Sequence, residues 1–300
     1  MLLALGTLYA YQNAKALAKS RFNLDIDDQI KSGTISVGLF HTAGKGTRLA
    51  PLPGAENNNK PGVKLPATIK LTSNQRSPVT ILESVIKQTG CYAKSRKGRL
   101  SVFWGDQVFI PTAEVSYTIT HHIDILCSLG PMLSEKDWRE KGMEKYGLIA
   151  QAKDGSTAQV EKVDHGTAVQ LLSSIGEIKS VGPSLGSFSV SSAMLFALLS
   201  EFASELEKKE GKLDSDPHLW MPMTLSKDAY QHLMEQKKIS LSVSGPHFDR
   251  IQAFLSRFLD TPGNTEIGVF GPVDVGQGVY WWDYGQLQLY QKYCLLGTLE

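Results

Sequence analysis

Three times along this chain an apolar, β-rich run stops at a glycine or an aspartate, and the pattern then changes. "TISVGLF" (34–40) runs into "HTAGKGTRL", "RLSVFWGDQVFIP" (99–111) carries Gly105-Asp106, and "GVYWWDYG" reaches Asp283 before "QLQLYQKYCLL". Runs that are apolar on both faces belong inside a sheet covered by helices, and in open α/β sheets ligands bind at the carboxyl ends of such strands. The pattern predicts a three-layer α/β/α sandwich. "YGLIAQAKDGSTAQVEKVD" (146–164) alternates about Asp154-Gly155, a hairpin turn signal, so the central sheet is mixed, mainly parallel with antiparallel members.

Residues 1–33 read as an N-terminal helical extension. Ser77-Pro78 supplies an N-cap and first-turn proline for a helix whose stripe is Ile81, Leu82, Val85 and Ile86, with Gly90 as its stop. Helical spacing also marks "TAEVSYTITHHIDILCSL" (112–129), which places His121-His122 on a helix. "SLGSFSVSSAMLFALLSEFASELEKKEG" starts extended and becomes an amphipathic helix that ends at Gly211. Further helices fall near 224–238 and 247–259, and "LDSDPHLWMPMTL" (213–225) reads as a packed loop near the substrate.

A chain of 300 residues with 42% hydrophobic residues can fill a sizeable core. Its 31 Lys plus Arg offset 30 Asp plus Glu, so no net field draws it to nucleic acid or to a membrane surface, and an anionic ligand must be held by local charge. Cys91, Cys127 and Cys294 lie far apart without CxxC spacing, which argues against a zinc site or a disulfide framework and for a reducing, cytoplasmic compartment. The opening "MLLALGTLYAYQ" lacks a basic leader and is far short of a membrane span.

The chemistry concentrates at the strand ends. In "HTAGKGTRLAPL", Ala43, Gly44, Lys45, Gly46 and Thr47 form a loop whose backbone N–H groups can meet phosphate oxygens, and Arg48 adds a planar fork. The loop is neither a Walker loop nor a dinucleotide fingerprint, and alone it is equally well an ordinary strand-to-helix turn. Asp106 after Gly105, and Asp283, are carboxylates of the kind Mg²⁺ requires; alone, one is a turn residue and the other a helix cap.

Taken in order, these segments resemble the sugar-1-phosphate nucleotidylyltransferases, also called sugar-nucleotide pyrophosphorylases. "HTAGKGTRLAPL…NKP" is similar to the family's GxGTRxxPL loop and later lysine-proline pair, here Lys60-Pro61 with Lys64 as the competing lysine. Gly105-Asp106 and Trp282-Asp283 match its metal-binding aspartates. Tyr146-Gly147, Asp154-Gly155 and Glu161-Lys162 match its sugar-phosphate side, with Gly186 as a close-approach glycine. The resemblance implies a Rossmann-like nucleotide-diphospho-sugar transferase fold over 34–300, with a nucleotide half at about 34–130 and a sugar-phosphate half at about 140–300. It implies a Mg²⁺-dependent reaction of a nucleoside triphosphate with a sugar 1-phosphate.

Under that resemblance Arg48, Lys60 and Lys162 are catalytic, residues 43–47 and Gly105 bind the nucleotide, Gly147, Glu161 and Gly186 bind the sugar phosphate, and Asp106 and Asp283 hold the metal. A catalytically silent sugar-nucleotide-binding subunit and a metal-dependent glycosyltransferase are the competing readings. Homo-oligomers are compatible with the sequence.

Overall fold

The computed structural model describes residues 4–42, 46–55, 59–110, 118–172, 175–208 and 219–299. Its strands are β1 (Val37–His41), β2 (Lys64–Lys70), β3 (Arg76–Thr80), β4 (Arg99–Trp104), β5 (Gln107–Ile110), β6 (His121–Cys127), β7 (Gly147–Ala152), β8 (Thr157–Glu161), β9 (Ile178–Ser191), β10 (Gly268–Asp274) and β11 (Tyr280–Asp283). Its helices are α1 (Ala4–Phe22), α2 (Ile26–Lys31), α3 (Ile81–Thr89), α4 (Glu135–Glu140), α5 (His165–Leu172), α6 (Ser192–Glu201), α7 (Ala203–Glu207), α8 (Trp220–Thr224), α9 (Lys227–Gln236), α10 (Leu241–Leu259) and α11 (Leu287–Leu299).

Seven strands form one sheet in the order β1-β4-β9-β6-β10, with β7 on β9 and β8 on β7. β10 runs parallel to β6, whereas β9 runs against both β6 and β7. Gly98 N–H donates to the Ile35 carbonyl and Gly105 N–H to the His41 carbonyl, so β1 and β4 advance together. Ser192 N–H meets the Gly98 carbonyl, which sets the end of β9 beside the start of β4. The sheet is thus mixed and mainly parallel, with helices on both sides, as the sequence predicts.

The chain divides into two compact units, each discontinuous in sequence: Met1–Val37, Arg96–Ser101 and Thr118–Gln277 make the larger, and Gly38–Ser95, Val102–Tyr117 and Gly278–Glu300 the smaller. In the larger unit the β7–β8 hairpin turns where expected, at Asp154-Gly155, with Gly155 at φ +93° and Ser156 N–H bound to the Asp154 carboxylate. Leu148, Ala150, Ala158, Val160 and Val181 from the sheet pack on Leu233, Met234 and Phe248 from α9 and α10. In the smaller unit Val63, Leu65, Val79, Ile81, Val85, Phe103 and Val108 close around Leu49 and Tyr284.

Three local expectations are corrected. Residues 121–127 form β6, not a helix, because β6 lies between β9 and β10 with His122–Cys127 buried. The polar letters that break its apolar run are satisfied internally: Asp124 pairs with Arg99 at 2.7 Å, and His122 bonds Ser191 and the Asn264 carbonyl. Residues 112–117 of that expected helix lie outside the described residues. α3 starts at Ile81 with Thr80 as N-cap and a Thr80–Glu83 capping box, because Ser77 and Pro78 belong to β3. The C-terminal part of the expected 213–225 loop is helical, as α8; residues 213–218, like Gly211, lie outside the described residues. On β9 a Cβ at Gly182 would overlap the Ser128 carbonyl, and Gly186 adopts φ +75°.

Arg99 and Asp124 are 2% and 0% exposed at the side chain. Arg99 also donates to the His121, His122 and Ser189 carbonyls and to the Ser189 hydroxyl. Burial pushes the Asp124 carboxyl up to about 6, while Arg99 and Arg96 pull it back. Arg99→Met strands that carboxylate and should cost about 3–5 kcal/mol, read as a lower urea midpoint at unchanged slope. Without its partner Asp124 binds a proton at higher pH than in the native chain, so the loss is greatest above neutrality and shrinks as pH falls towards 6.

Candidate functional site

The smaller unit gathers Arg48, Lys60, Asp106 and Asp283 from four separate segments. Arg48 lies exposed on a 3₁₀ turn (Gly46–Leu49), anchored by the fully buried Leu49. Lys60 begins a second 3₁₀ turn (Lys60–Gly62), anchored by buried Pro61. Asp106 fills the turn between β4 and β5, where Gly105 is needed because a Cβ there would sit 2.9 Å from the His41 carbonyl. The end of β4 therefore abuts the end of β1, as a phosphate-binding strand edge requires.

β11 pairs antiparallel with β5, Asp283 opposite Gln107, and Tyr284 N–H donates to the Asp106 carbonyl at 2.9 Å. Trp282 stacks on Tyr293 with ring centroids 5.7 Å apart, and Tyr284 packs edge-on to Tyr290 and Tyr293. Strand alternation sends Asp283 to the face opposite these rings, where the Gly285 N–H donates to its carboxylate at 2.7 Å. Lys60 and Asp106 form an ion pair whose side chains are only 15% and 11% exposed.

A Cβ on Gly285 would lie 2.8 Å from Asp283 Oδ1, 3.1 Å from Asp106 Oδ2 and 3.2 Å from Lys60 Nζ, so all three charged groups converge on that glycine. Burial pushes the Asp283 carboxyl up; the Gly285 N–H opposes this, the Asp106 charge adds to it, and Lys60 and Arg48 draw it down. Two hard carboxylates close together, with the Asp106 charge disfavouring that of Asp283, are the type of oxygen ligand a divalent cation takes. Among the described residues no cluster of three or more His, Cys, Asp or Glu side chains surrounds a metal-sized space.

The larger unit holds the other predicted residues. Gly147 pairs with Glu161 across β7 and β8, and a Cβ on Gly147 would lie 2.6 Å from Glu161 Oε1, so the carboxylate lies over bare backbone. Gln159 Nε2 donates to that same oxygen at 2.9 Å. Lys162 leaves the strand at φ +53°, a left-handed conformation that a lysine rarely adopts, with its N–H on the Tyr146 carbonyl. Gly186 lies on β9, its N–H on Ser184 Oγ.

Ala43, Gly44 and Lys45 lie outside the described residues, and Gly46 and Thr47 open the first 3₁₀ turn. Of the two competing lysines, Lys60 reaches Asp106, whereas Lys64 stands exposed on β2. Sequence reasoning missed three contributors. Gly285 was visible only as the last letter of "WWDYG". Gln159 precedes the Glu-Lys pair by a strand repeat. Lys237, in "EQKKIS", has no spacing that ties it to the hairpin, yet its ammonium donates to the Glu161 carbonyl at 2.8 Å.

No family model matches the chain, and no curated protein matches it. Among solved structures, the chain is similar to a Bacillus anthracis protein provisionally designated a glucose-1-phosphate thymidylyltransferase and crystallised with sucrose, at 12% identity and a TM-score of 0.38, over 87% of this chain and 94% of that one. The site is therefore read from its own geometry. No helix among the described residues is long and apolar enough to cross a membrane.

Lys60→Met leaves two neighbouring carboxylates without their cation. Stability should fall by about 3 kcal/mol, several degrees in Tm. Millimolar MgCl₂, compared with KCl at equal ionic strength, should then stabilise the variant more than the native chain. Equal Mg²⁺ responses in thermal scans would count against the divalent fit.

Proposed function

We propose that this chain is a nucleotidylyltransferase that joins a nucleoside triphosphate to a sugar 1-phosphate, releasing pyrophosphate. The observation that carries the reading is the convergence of Asp106, Asp283 and Lys60 on Gly285, with Arg48 close enough to draw the Asp283 carboxyl down. An arginine, a lysine and two carboxylates at the ends of apolar strands are the parts that phosphoryl-type transfer needs, since that chemistry depends on alignment and charge neutralisation.

In this reading Arg48 and the amides of residues 43–47 hold the triphosphate beside Gly105, whose lack of a side chain leaves room for it, and the Arg48 fork takes the charge of the leaving pyrophosphate. Lys60 shares its ammonium between Asp106 and the phosphates. Asp106 and Asp283 would hold Mg²⁺, which would supply positive charge to offset that of the phosphates. Lys162 neutralises the acceptor phosphate, while Gly147, Glu161 and Gly186 receive the sugar.

An acceptor phosphate oxygen forms a bond to the α-phosphorus as the α–β bridging oxygen leaves with pyrophosphate. A phosphate monoester is largely dianionic at neutral pH, so the attacking oxygen has no proton to lose and no general base is required. That agrees with a residue set made of cations and metal-type carboxylates and lacking a catalytic histidine.

The competing reading is a silent subunit that binds sugar nucleotides without turnover. Pyrophosphate release measured across a panel of sugar 1-phosphates and the common triphosphates, with and without Mg²⁺, separates the two. Asp106→Asn should lower kcat/KM by about 1,000-fold, roughly 4 kcal/mol of transition-state stabilisation, while the variant still folds, as read by its circular dichroism spectrum. Tight triphosphate binding without pyrophosphate release by any pair would establish the silent subunit instead.

A further inference from the structure

Lys237 belongs to none of the segments that suggest the reaction, yet its side chain bonds the end of the hairpin that leads through Glu161 to Lys162. It is the C-cap residue of α9, half-buried, and its ammonium donates to the Glu161 carbonyl, the oxygen of the peptide bond that leads into Lys162. Two ammonium-bearing side chains thus share one peptide unit. Burial pushes the Lys237 ammonium below its ordinary range, with the nearby Lys162 charge adding to that and Glu161 opposing it. Like charges in a half-buried place repel, and the one carboxylate beside them is already bonded to Gln159.

The left-handed backbone of Lys162 is the second observation. A non-glycine residue in that conformation is strained and persists where the surroundings hold it. Here Lys162 N–H is tied to the Tyr146 carbonyl, while Lys237 holds the preceding carbonyl from the other side. The backbone is held from both sides in the conformation that turns residue 162 out of the strand.

Resting on the nucleotidylyltransferase reading, we propose that Lys237 is a second substrate-binding cation, forming with Lys162 a two-lysine cradle for the dianionic phosphate of the acceptor. One cation leaves a dianion half neutralised; two match it. The Glu161 carboxylate, held over Gly147, stands beside the cradle on the side of the sugar hydroxyls.

The test uses the full chain. Lysines are acylated with acetic anhydride and mapped by mass spectrometry, with and without glucose 1-phosphate or inorganic phosphate, while Mg·triphosphate binding is followed by calorimetry. Labelling of Lys237 and Lys162 should slow severalfold with either phosphate compound and stay unchanged at exposed Lys136. Lys237→Gln should raise KM for the sugar phosphate by roughly 10- to 100-fold and leave the triphosphate KM within about twofold, with Lys237→Arg recovering most of the loss. A purely structural lysine would give no protection and no charge-dependent rescue. Unprotected Lys237 in a chain that binds Mg·triphosphate overturns the cradle and leaves the nucleotide reading intact. Failure to bind triphosphate as well removes both.

Discussion

The antiparallel pairing of β11 with β5 is the constraint on which the smaller unit depends. It returns the end of the chain to a strand formed well before its midpoint and fixes Asp283 opposite Gln107, one residue from Asp106. Backbone hydrogen bonds alone gain little against water, so the pairing is held by what it buries. Trp282 and Tyr284 enter an aromatic cluster with Tyr290 and Tyr293 of α11, and Phe103 and Val108 lie in the same core. Apolar area at about 25 cal/mol per Å² supplies the drive, and the alternation of the strand then leaves Asp283 nowhere to go but the other face. Two carboxylates are brought together by hydrophobic packing, and the local charges of Lys60, Arg48 and the Gly285 N–H make that tolerable.

The chain carries two kinds of buried charge, and they differ in a way that separates scaffold from site. Arg99 and Asp124 are almost wholly withdrawn from solvent, and Arg99 finds its acceptors on β6 and β9. Such a network ties neighbouring strands together inside the sheet. The group around Gly285 is built differently. Its lysine is bonded to only one of its two carboxylates, its second carboxylate is disfavoured by the first, and its arginine is exposed. Incomplete pairing of this kind is costly in a scaffold and useful in a site.

Much of this was legible in the sequence because the informative residues sit at strand ends, where composition changes abruptly. Asp106 and Asp283 could be picked out as acids after apolar runs, and the Asp154-Gly155 turn followed from alternation alone. The failures share a cause. β6 reads as a helix because the whole of 112–129 shows helical spacing, and only the tertiary partners Ser191 and Arg99 explain why His122 and Asp124 are buried in a strand. Lys237 was invisible because its relation to Glu161 is set by how α9 packs on the hairpin. Gly285 gives a sequence signal that means nothing until three charged side chains are seen around it. Local pattern reports which face a residue takes; it does not report what comes to meet that face.

Charge arithmetic favours metal-dependent polyphosphate chemistry over simple binding of a sugar nucleotide. Arg48 and Lys60 carry two positive charges, Asp106 and Asp283 two negative ones, so these four side chains together are neutral. A neutral group has no excess attraction for a polyphosphate, and a protein selected only to retain an anion would do better without the aspartates. Placing a divalent cation on the two carboxylates reverses the local field and makes affinity for phosphate depend on the metal. The same reasoning weakens the glycosyltransferase reading: an enzyme that receives a finished sugar nucleotide needs a metal for the diphosphate, but it has no third phosphate to occupy an added arginine and a glycine-rich loop. The aspartates argue for a metal, and Arg48 argues for more phosphate than a diphosphate carries. Together they support the proposed use of a triphosphate over the binding of a diphosphate alone.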